Sequence, residues 1–340
     1  MRVAVVGATG LVGREMVRTL EERVFPVDEL VPLASERSEG RRLRFGGEDV
    51  AVGRLSLDAL HGVDVALFSA GAEVSREIVP DAAARGTVCI DNSSAFREDP
   101  AVPLVVPEVN ADDLEPGARI VANPNCTTIV VVMAVAPLHA AARLRSLVVS
   151  SYQSVSGAGG AAIRELSDQV EKMHGAEEDL LRPDLGSLPV GEVFDKTIAY
   201  NVLPMQGEAS EDDWSGEERK VLTEARKILG EPDLDVAATV VRVPVVAGHA
   251  ASIYARFDRP LPPEEARGLL ERFPGILVVD DPGLAEYPTP LEAAGRDEVL
   301  VGRIRRATVD DRALLLFAAG DNLRKGAALN AVQIAELLIR

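Results

Sequence analysis

The chain opens on Arg2-Val3-Ala4-Val5-Val6, a β-branched run, followed at once by Gly7-Ala8-Thr9-Gly10-Leu11-Val12-Gly13 and then by Met16, Val17 and Leu20 at helical spacing. Strand, glycine turn and helix in that order constrain the fold more than any other stretch, because they place an alternating βα chain on an open parallel sheet. The glycines permit a tight turn and close approach of the backbone, so the helix N-terminus can hold a pyrophosphate with no side chain in the way. The spacing, G-x-x-G-x-x-G, departs from the usual G-x-G-x-x-G, and a plain tight turn would carry the same letters. Its position at the first strand favours the dinucleotide reading.

The second strand, Glu29 to Ala34, ends in Ser35-Glu36-Arg37-Ser38. An acidic residue closing this strand would grip a ribose diol, whereas Arg37 with neighbouring hydroxyls pairs with a 2′-phosphate, so NADP is the expected cofactor. Glu36 argues the other way, and an exposed salt-bridged turn explains the same residues. Val63 to Ser69 reads as a buried parallel strand with a helix, Ile78 to Arg85, behind it, and Thr87 to Asp91 as the next strand. Cys89 lies midway along that strand and is expected to be inert core. The polar loop Asp91-Asn92-Ser93-Ser94-Ala95-Phe96-Arg97 follows at a strand's carboxyl end, where open α/β sheets place ligands, and Arg97 is its candidate anion clamp.

Asn123-Pro124-Asn125-Cys126-Thr127-Thr128 then stops the strand pattern and starts a helix. Pro124 breaks what precedes it, Asn125 can cap, and the apolar run Ile129 to Ala134 would bury the new helix. Cys126 therefore falls on a first turn, where orphan N–H groups and the positive end of the dipole favour the thiolate that attacks carbonyl carbon. A small buried cysteine is the competing reading. Beyond it the separation between strands lengthens, as expected where a second domain begins. Leu147 to Gln153 is a strand, and Ser154 to Gly160 either approaches a cofactor or merely starts the helix carrying Leu166, Val170 and Met173. Gly175 to Leu188 reads as an excursion. A helix from Gly216 places Glu217 and Lys220 on one face, where a surface ion pair is equally in keeping. Val236 to Val246 is β-rich and carries Arg242. Of four histidines only His249 sits in a sheet bend; it is the one to match to a thiol as general base, a structural histidine fitting the letters as well. The tail from Gly320 runs into a helix with Val332, Ile334, Leu337 and Leu338 that returns to pack on the first domain.

At 340 residues the chain suits two domains, and its net charge of −18 should keep it soluble and repel nucleic acid and anionic membranes. Cations in Gly-, Ser- or Asn-rich loops then point to particular anions. Two cysteines make no disulfide framework, no metal-ligand spacing occurs, and a reducing cytoplasm is expected. The chain begins directly on a strand and Ile129 to Leu138 is too short to span a bilayer, so neither export nor membrane is expected.

With Cys126, Gln153 and His249 in view, the sequence resembles the aspartate-β-semialdehyde dehydrogenase family over essentially its whole length. The blocks are Gly7 to Gly13, Asp91 to Arg97, Asn123 to Thr128, Tyr152 to Gly159, Glu217 to Lys220, Arg242 to His249 and Asp321 to Asn330. The resemblance implies an α/β protein: a Rossmann-type dinucleotide-binding domain over residues 1–125, completed by the C-terminal helix 322–340, and an α+β catalytic and dimerisation domain over 126–321. It implies Cys126 as nucleophile, His249 as acid/base, Gln153 on substrate, Arg97 and Lys220 on phosphate, and Glu217 and Arg242 on the amino acid's ammonium and carboxylate. Thr9, Gly10, Leu11, Val12, Arg37, Ser38, Ser156, Gly157, Pro189 and Asn322 match NADP positions. Ala250 and Ala251 follow His249 where the family often has Ser and then an acidic or other residue, so a hydrogen bond orienting the ring is not expected from there.

The implied reaction is reversible, NADP-linked reductive dephosphorylation of L-4-aspartyl phosphate to L-aspartate 4-semialdehyde through a cysteine thioester, on the way to lysine, threonine and methionine. Its small-molecule partners are that substrate and inorganic phosphate, and the implied assembly is a homodimer or homotetramer. The nearest rival is N-acetyl-γ-glutamyl-phosphate reductase, whose block is typically the glycine-rich G-N-P-G-C where this chain has Asn123-Pro124-Asn125-Cys126-Thr127. A non-catalytic NADP-binding regulator is a rival of another class, made less suitable by a thiol, a histidine and three placed cations.

Overall fold

Alternating short β-branched runs and amphipathic helices build the first half. The computed structural model describes residues 1–205 and 210–339. Residues 206–209, inside the range expected for the second domain, and Arg340, at the end of the range expected to complete the first, lie outside the described residues. Strand β1 (Arg2–Val6) leads into helix α1 (Leu11–Glu22), β2 (Glu29–Ala34), an exposed hairpin of β3 (Arg42–Phe45) and β4 (Glu48–Ala51), and the two-residue β5 (Gly53–Arg54). Then come β6 (Val65–Phe68), α2 (Ala72–Ala84), β7 (Val88–Asp91), the single turn α3 (Pro107–Asn110) and β8 (Ile120–Ala122). The sheet order is β5-β2-β1-β6-β7-β8 with every pairing parallel. The order reverses on either side of β1, which puts the crevice where such sheets take ligands directly above Gly7.

Alternation along the strands divides the core. Val3, Val5 and Leu67 face one side with Met16, Leu20, Val332 and Ile334, whereas Ala4, Val6 and Phe68 face the other with Val79, Ala82 and Cys89. Cys89 is buried, and burial together with Asp91 pushes its thiol up to about 12, so it is inert core.

The second half starts with α4 (Cys126–Ala142), buried at every residue from Thr127 to Leu138. A helix apolar all round has to be enclosed on every side. Strands β9 (Leu144–Gln153), β10 (Asp235–Arg242), β11 (His249–Phe257), β12 (Ile276–Val278), β13 (Val299–Arg306) and β14 (Ala313–Gly320) enclose it on one side, in the mixed order β10-β9-β11-β14-β13-β12. Helices α5 (Gly160–Met173), α6 (Gly216–Ile228), α7 (Pro263–Glu271) and α8 (Pro290–Ala293) complete this half. Strand β10 ends at Arg242, short of the expected Val246, because Pro244 has no N–H for a ladder. Helix α2 begins at Ala72, a turn and a half before its expected start. Hairpin β3–β4 and strands β12 to β14 are not marked by the sequence patterns above. The fold is a parallel, Rossmann-like domain joined to a mixed-sheet domain.

The chain closes with a wide π-turn, Arg324–Ala328, running into α9 (Leu329–Leu338) on the parallel sheet. Lys325 is fully buried and donates to Glu108 at 2.6 Å, Gln333 at 2.8 Å and Asn330 at 2.9 Å. A buried ammonium is tolerable only with such partners. Glu108→Gln strands that charge and is expected to destabilise the protein by about 3–5 kcal/mol, read as an earlier denaturant midpoint; an unchanged midpoint would show that the pair does not anchor the C-terminal helix.

Candidate active site

Asn125 makes the start of α4 abrupt. Its Oδ1 accepts from Thr127 N–H at 2.9 Å and Thr128 N–H at 3.3 Å, a full side-chain cap that leaves Cys126 as the first helical residue. The cap is itself held: Asn125 N–H donates to Glu224 Oε2 at 2.6 Å, and Asn125 Nδ2 donates to Glu217 Oε2 at 3.0 Å. Asn123 ties the strand before it to the opposite loop and the C-terminal helix, donating to Asn92 Oδ1 at 2.7 Å and accepting from Asn330 Nδ2 at 2.6 Å.

A cavity of about 320 Å³ lies over this turn. Among its lining residues are Val12, Asn92, Arg97, Cys126, Gln153, Ser156, Gly157, Glu217, Lys220, Arg242, His249 and Asn322. The thiol and the imidazole, 123 positions apart in the chain by their numbers, thus share one chamber at the carboxyl edge of the parallel sheet. Of the residues matched to a cofactor, Thr9 and Ser38 meet each other, Thr9 Oγ1 donating to Ser38 Oγ at 3.2 Å, beside Gly10 and Leu11 at the head of α1. Arg37 is exposed in the same turn and makes no ion pair among the described residues, while its neighbour Glu36 faces Arg54 at 3.5 Å. Pro189, also matched to a cofactor, lines a depression with Met173 and Leu180, and its carbonyl accepts from Thr197.

The cations are more committed than the sequence suggests. Buried Arg97 donates from Nε to Asn123 O at 2.9 Å, from Nη1 to Glu224 Oε1 at 3.0 Å and from Nη2 to Asn92 O at 2.8 Å. Two of its five N–H donors remain for a ligand. Lys220 pairs with Glu217 as i, i+3 spacing allows, and the pair lines the cavity instead of the open surface. Burial works against the Glu217 carboxylate, but Lys220 and hydrogen bonds from Gln153 and Asn125 outweigh it and hold it at about 2. Gln153 also donates to Thr127 Oγ1 at 2.7 Å. Arg242 is buried at the end of β10 and donates from Nη1 to Ser154 O at 2.7 Å.

Sequence patterns miss Glu224 and Ser154. Glu224 lies seven residues after Glu217 on the same face of α6, a helical spacing that could have marked it. Ser154 meets the histidine. Gly248, with φ +85° and no room for a Cβ (2.2 Å from Pro290 O), bends the chain into β11 so that His249 turns inward. Ser154 N–H then donates to His249 Nδ1 at 3.0 Å, and Ser154 Oγ lies 3.1 Å from the same nitrogen. The hydrogen bond to ring nitrogen therefore comes from the loop after β9, as Ala250 and Ala251 could not supply it. Assigned from that donor, the neutral ring carries its proton on Nε2, which is buried without a hydrogen-bond partner among the described residues. Burial and Arg242 push His249 down to about 3.

Helix position and surroundings act in opposite directions on Cys126. Burial and the Glu217 carboxylate push Cys126 up to about 11, against Arg242, Arg97 and the Thr127 N–H. The first-turn donors that were to favour the thiolate are shared with the Asn125 cap. Alkylation of Cys126 by iodoacetamide in the free protein should accordingly rise about tenfold per pH unit from pH 7 to 10; a plateau below pH 8 would reveal a thiolate at rest.

Two family models match the chain: the semialdehyde dehydrogenase NAD binding domain over residues 2–116 and the semialdehyde dehydrogenase dimerisation domain over residues 135–325. The aspartate-semialdehyde dehydrogenase of Aquifex aeolicus is 48% identical over 342 residues, covering 100% of this chain and 98% of that protein. That of Bacillus subtilis is 44% identical, covering 99% and 97%. The crystal structure of aspartate semialdehyde dehydrogenase II complexed with ASA from Vibrio cholerae superposes with a TM-score of 0.91 at 42% identity, over 100% of this chain and 98% of that one.

Proposed function

The chain belongs to the aspartate-semialdehyde dehydrogenase family, and from that premise we propose how its residues carry the reaction between L-4-aspartyl phosphate and L-aspartate 4-semialdehyde. Its activity is that of an oxidoreductase of this family, with an NAD(P)-binding domain. The observation that carries the residue roles is the convergence of one thiol, one imidazole, Arg97, Lys220 and Arg242 on a single chamber.

The first turn fits a dinucleotide. A Cβ on Gly7 would sit 2.2 Å from Ser69 O, so the backbone there must stay bare, and the N-terminus of α1 has no side-chain cap. Its N–H groups are open to an anion, unlike those of α4. Thr9, Gly10, Leu11 and Val12 would hold the pyrophosphate, Arg37 and Ser38 a 2′-phosphate, and Ser156, Gly157 and Asn322 the nicotinamide end. NADP over NAD is supported by Glu36 being turned to Arg54 while Arg37 is exposed beside the Thr9–Ser38 pair.

In the reductive direction His249, with its ring proton on Nδ1, takes the Cys126 proton at Nε2, and the sulfur attacks the acyl carbon. The C–O bond to phosphate breaks, phosphate leaves toward Lys220 and the two remaining N–H groups of Arg97, and a thioester stays on Cys126. A dinucleotide held by the α1 turn, Ser156, Gly157 and Asn322 would supply the hydride for this carbon. His249 then gives its Nε2 proton to the new oxygen and recovers it as the C–S bond breaks, releasing aldehyde. Arg242 meets the substrate carboxylate as a planar fork and Glu217 its ammonium. That ammonium also cancels part of the Glu217 charge that holds the resting thiol protonated.

The match to a dimerisation domain supports an assembly of copies, read here as a homodimer or homotetramer. Sheet membership supports residues 1–125 with 322–340 as the cofactor domain and 126–321 as the catalytic one. Among the described residues no helix is long and apolar enough to cross a membrane, which is in keeping with work in the cytoplasm on amino-acid biosynthesis.

Turnover measured with aspartate semialdehyde and with N-acetylglutamate semialdehyde, each with phosphate and with NADP or NAD, tests the reading. Aspartate semialdehyde with NADP should be preferred, and Cys126→Ala should abolish turnover; preference for the acetylated substrate or an active alanine variant refutes it. Arg242→Lys should raise the KM for aspartate semialdehyde at least about tenfold, because an ammonium cannot reproduce the bidentate fork, and an unchanged KM counts against that role.

A further inference from the structure

The reaction asks two opposite things of His249. When it donates, Nε2 carries the proton and Nδ1 is bare. When it takes the thiol proton, Nε2 must first be bare, so the neutral ring has to carry its proton on Nδ1. Each state needs a different kind of partner at Nδ1, and in a buried site a missing partner costs about 1–3 kcal/mol.

One residue offers both. Ser154 N–H points at Nδ1 at 3.0 Å, and Ser154 Oγ stands 3.1 Å from the same atom. The hydroxyl serves as an acceptor when its own proton is turned to Asn322 Oδ1, 3.0 Å away; Ser156 Oγ, at 3.1 Å, is its other polar neighbour. That Asn322 oxygen is identified by the main-chain Gly248 N–H, which donates to it at 2.9 Å, while Asn322 Nδ2 donates to Ser156 Oγ at 3.0 Å. Ser154, Asn322 and His249 are all buried, so water does not compete for these positions.

We propose that Ser154 is the positioning residue of His249, holding Nδ1 through its main-chain N–H while the ring's proton is on Nε2 and through its hydroxyl oxygen while the proton is on Nδ1. The proposal rests on the reading of His249 as the proton carrier. In the step it serves, the S–H bond of Cys126 breaks and an N–H bond forms at Nε2. The resulting imidazolium keeps its Nδ1–H on Ser154 Oγ beside the new thiolate. The charges facing the ring are Arg242 at the end of β10 and Glu217 on α6, with Cys126 on α4 sharing the cavity. Asn322 thereby acquires a task beyond any cofactor contact: it turns the Ser154 hydroxyl so that a lone pair, not a proton, faces the ring.

The full-length enzyme labelled with ¹⁵N-histidine tests the resting half directly. At neutral pH the His249 signals, assigned by their loss in His249→Asn, should show an unprotonated Nδ1 and a protonated Nε2; a protonated Nδ1 overturns the proposal without any assay of turnover. For the other half, Ser154→Ala keeps the amide and removes the oxygen. It should lower kcat for aspartate semialdehyde with phosphate and NADP at least about tenfold, part of the 10²–10⁴ that positioned proton transfer contributes, and leave the KM for NADP within about twofold. Ser154→Thr, which keeps the oxygen, should recover most of kcat. An unchanged kcat in Ser154→Ala, a change confined to the KM for NADP, or a threonine variant no better than alanine overturns the proposal. Full activity in His249→Asn instead removes the proton-carrier reading on which it rests.

Discussion

Glu224 is a carboxylate with almost no exposure, and both its oxygens are spent inside the protein: one on the Arg97 guanidinium, the other on the main-chain N–H of Asn125. Burying a charge is costly unless it is paired and hydrogen-bonded, and removing either partner leaves the other stranded. The arrangement therefore resists any sliding of α6 against the turn that carries Cys126. Because Arg97 also reaches the carbonyls of Asn92 and Asn123, the loop after β7 and the loop after β8 are drawn to the same point. Loops of the parallel sheet and helix α6 of the second half meet at this knot, and Cys126 sits one residue beyond it.

Above the knot lies a cavity of about 320 Å³ with charges distributed around it. Burial raises the Cys126 thiol and lowers the His249 imidazole, favouring the neutral form of each. The ionic groups that remain are those with partners of opposite sign or with hydrogen bonds, Glu217 with Lys220 and Arg97 with Glu224. On the proposed roles, a zwitterionic phosphorylated substrate would bring a charge to complement each of these cations and the Glu217 carboxylate.

The C-terminal segment closes the same chamber from behind. The π-turn brings Gly326 so close to Cys126 that a Cβ on the glycine would lie 2.9 Å from the cysteine's own Cβ. An inserted residue in a helix at such a place is a common way of re-aiming the chain at a functional site. Lys325 and Arg324, turned away from the chamber into Glu108 and into Glu15, Glu22 and Asp297, hold the turn in place.

Signals that act within a few residues were legible in the chain itself. Strand, glycine turn and helix at Arg2 to Leu20, the capped start at Asn125, and the all-apolar run behind Cys126 are set by backbone sterics, capping and periodicity, each satisfied locally. The same is true of Glu217 and Lys220 on one helix face. What only the tertiary structure decided depends on partners far away in the chain: Glu224 binding Asn125 across 99 positions, Ser154 holding His249 across 95, and Arg97 being mostly occupied before any ligand arrives. The protonation of Cys126 belongs there too. A helix start favours the thiolate wherever it occurs, but how much water is excluded and which carboxylate stands nearby follow from packing, and at this site those two effects outweigh the local one.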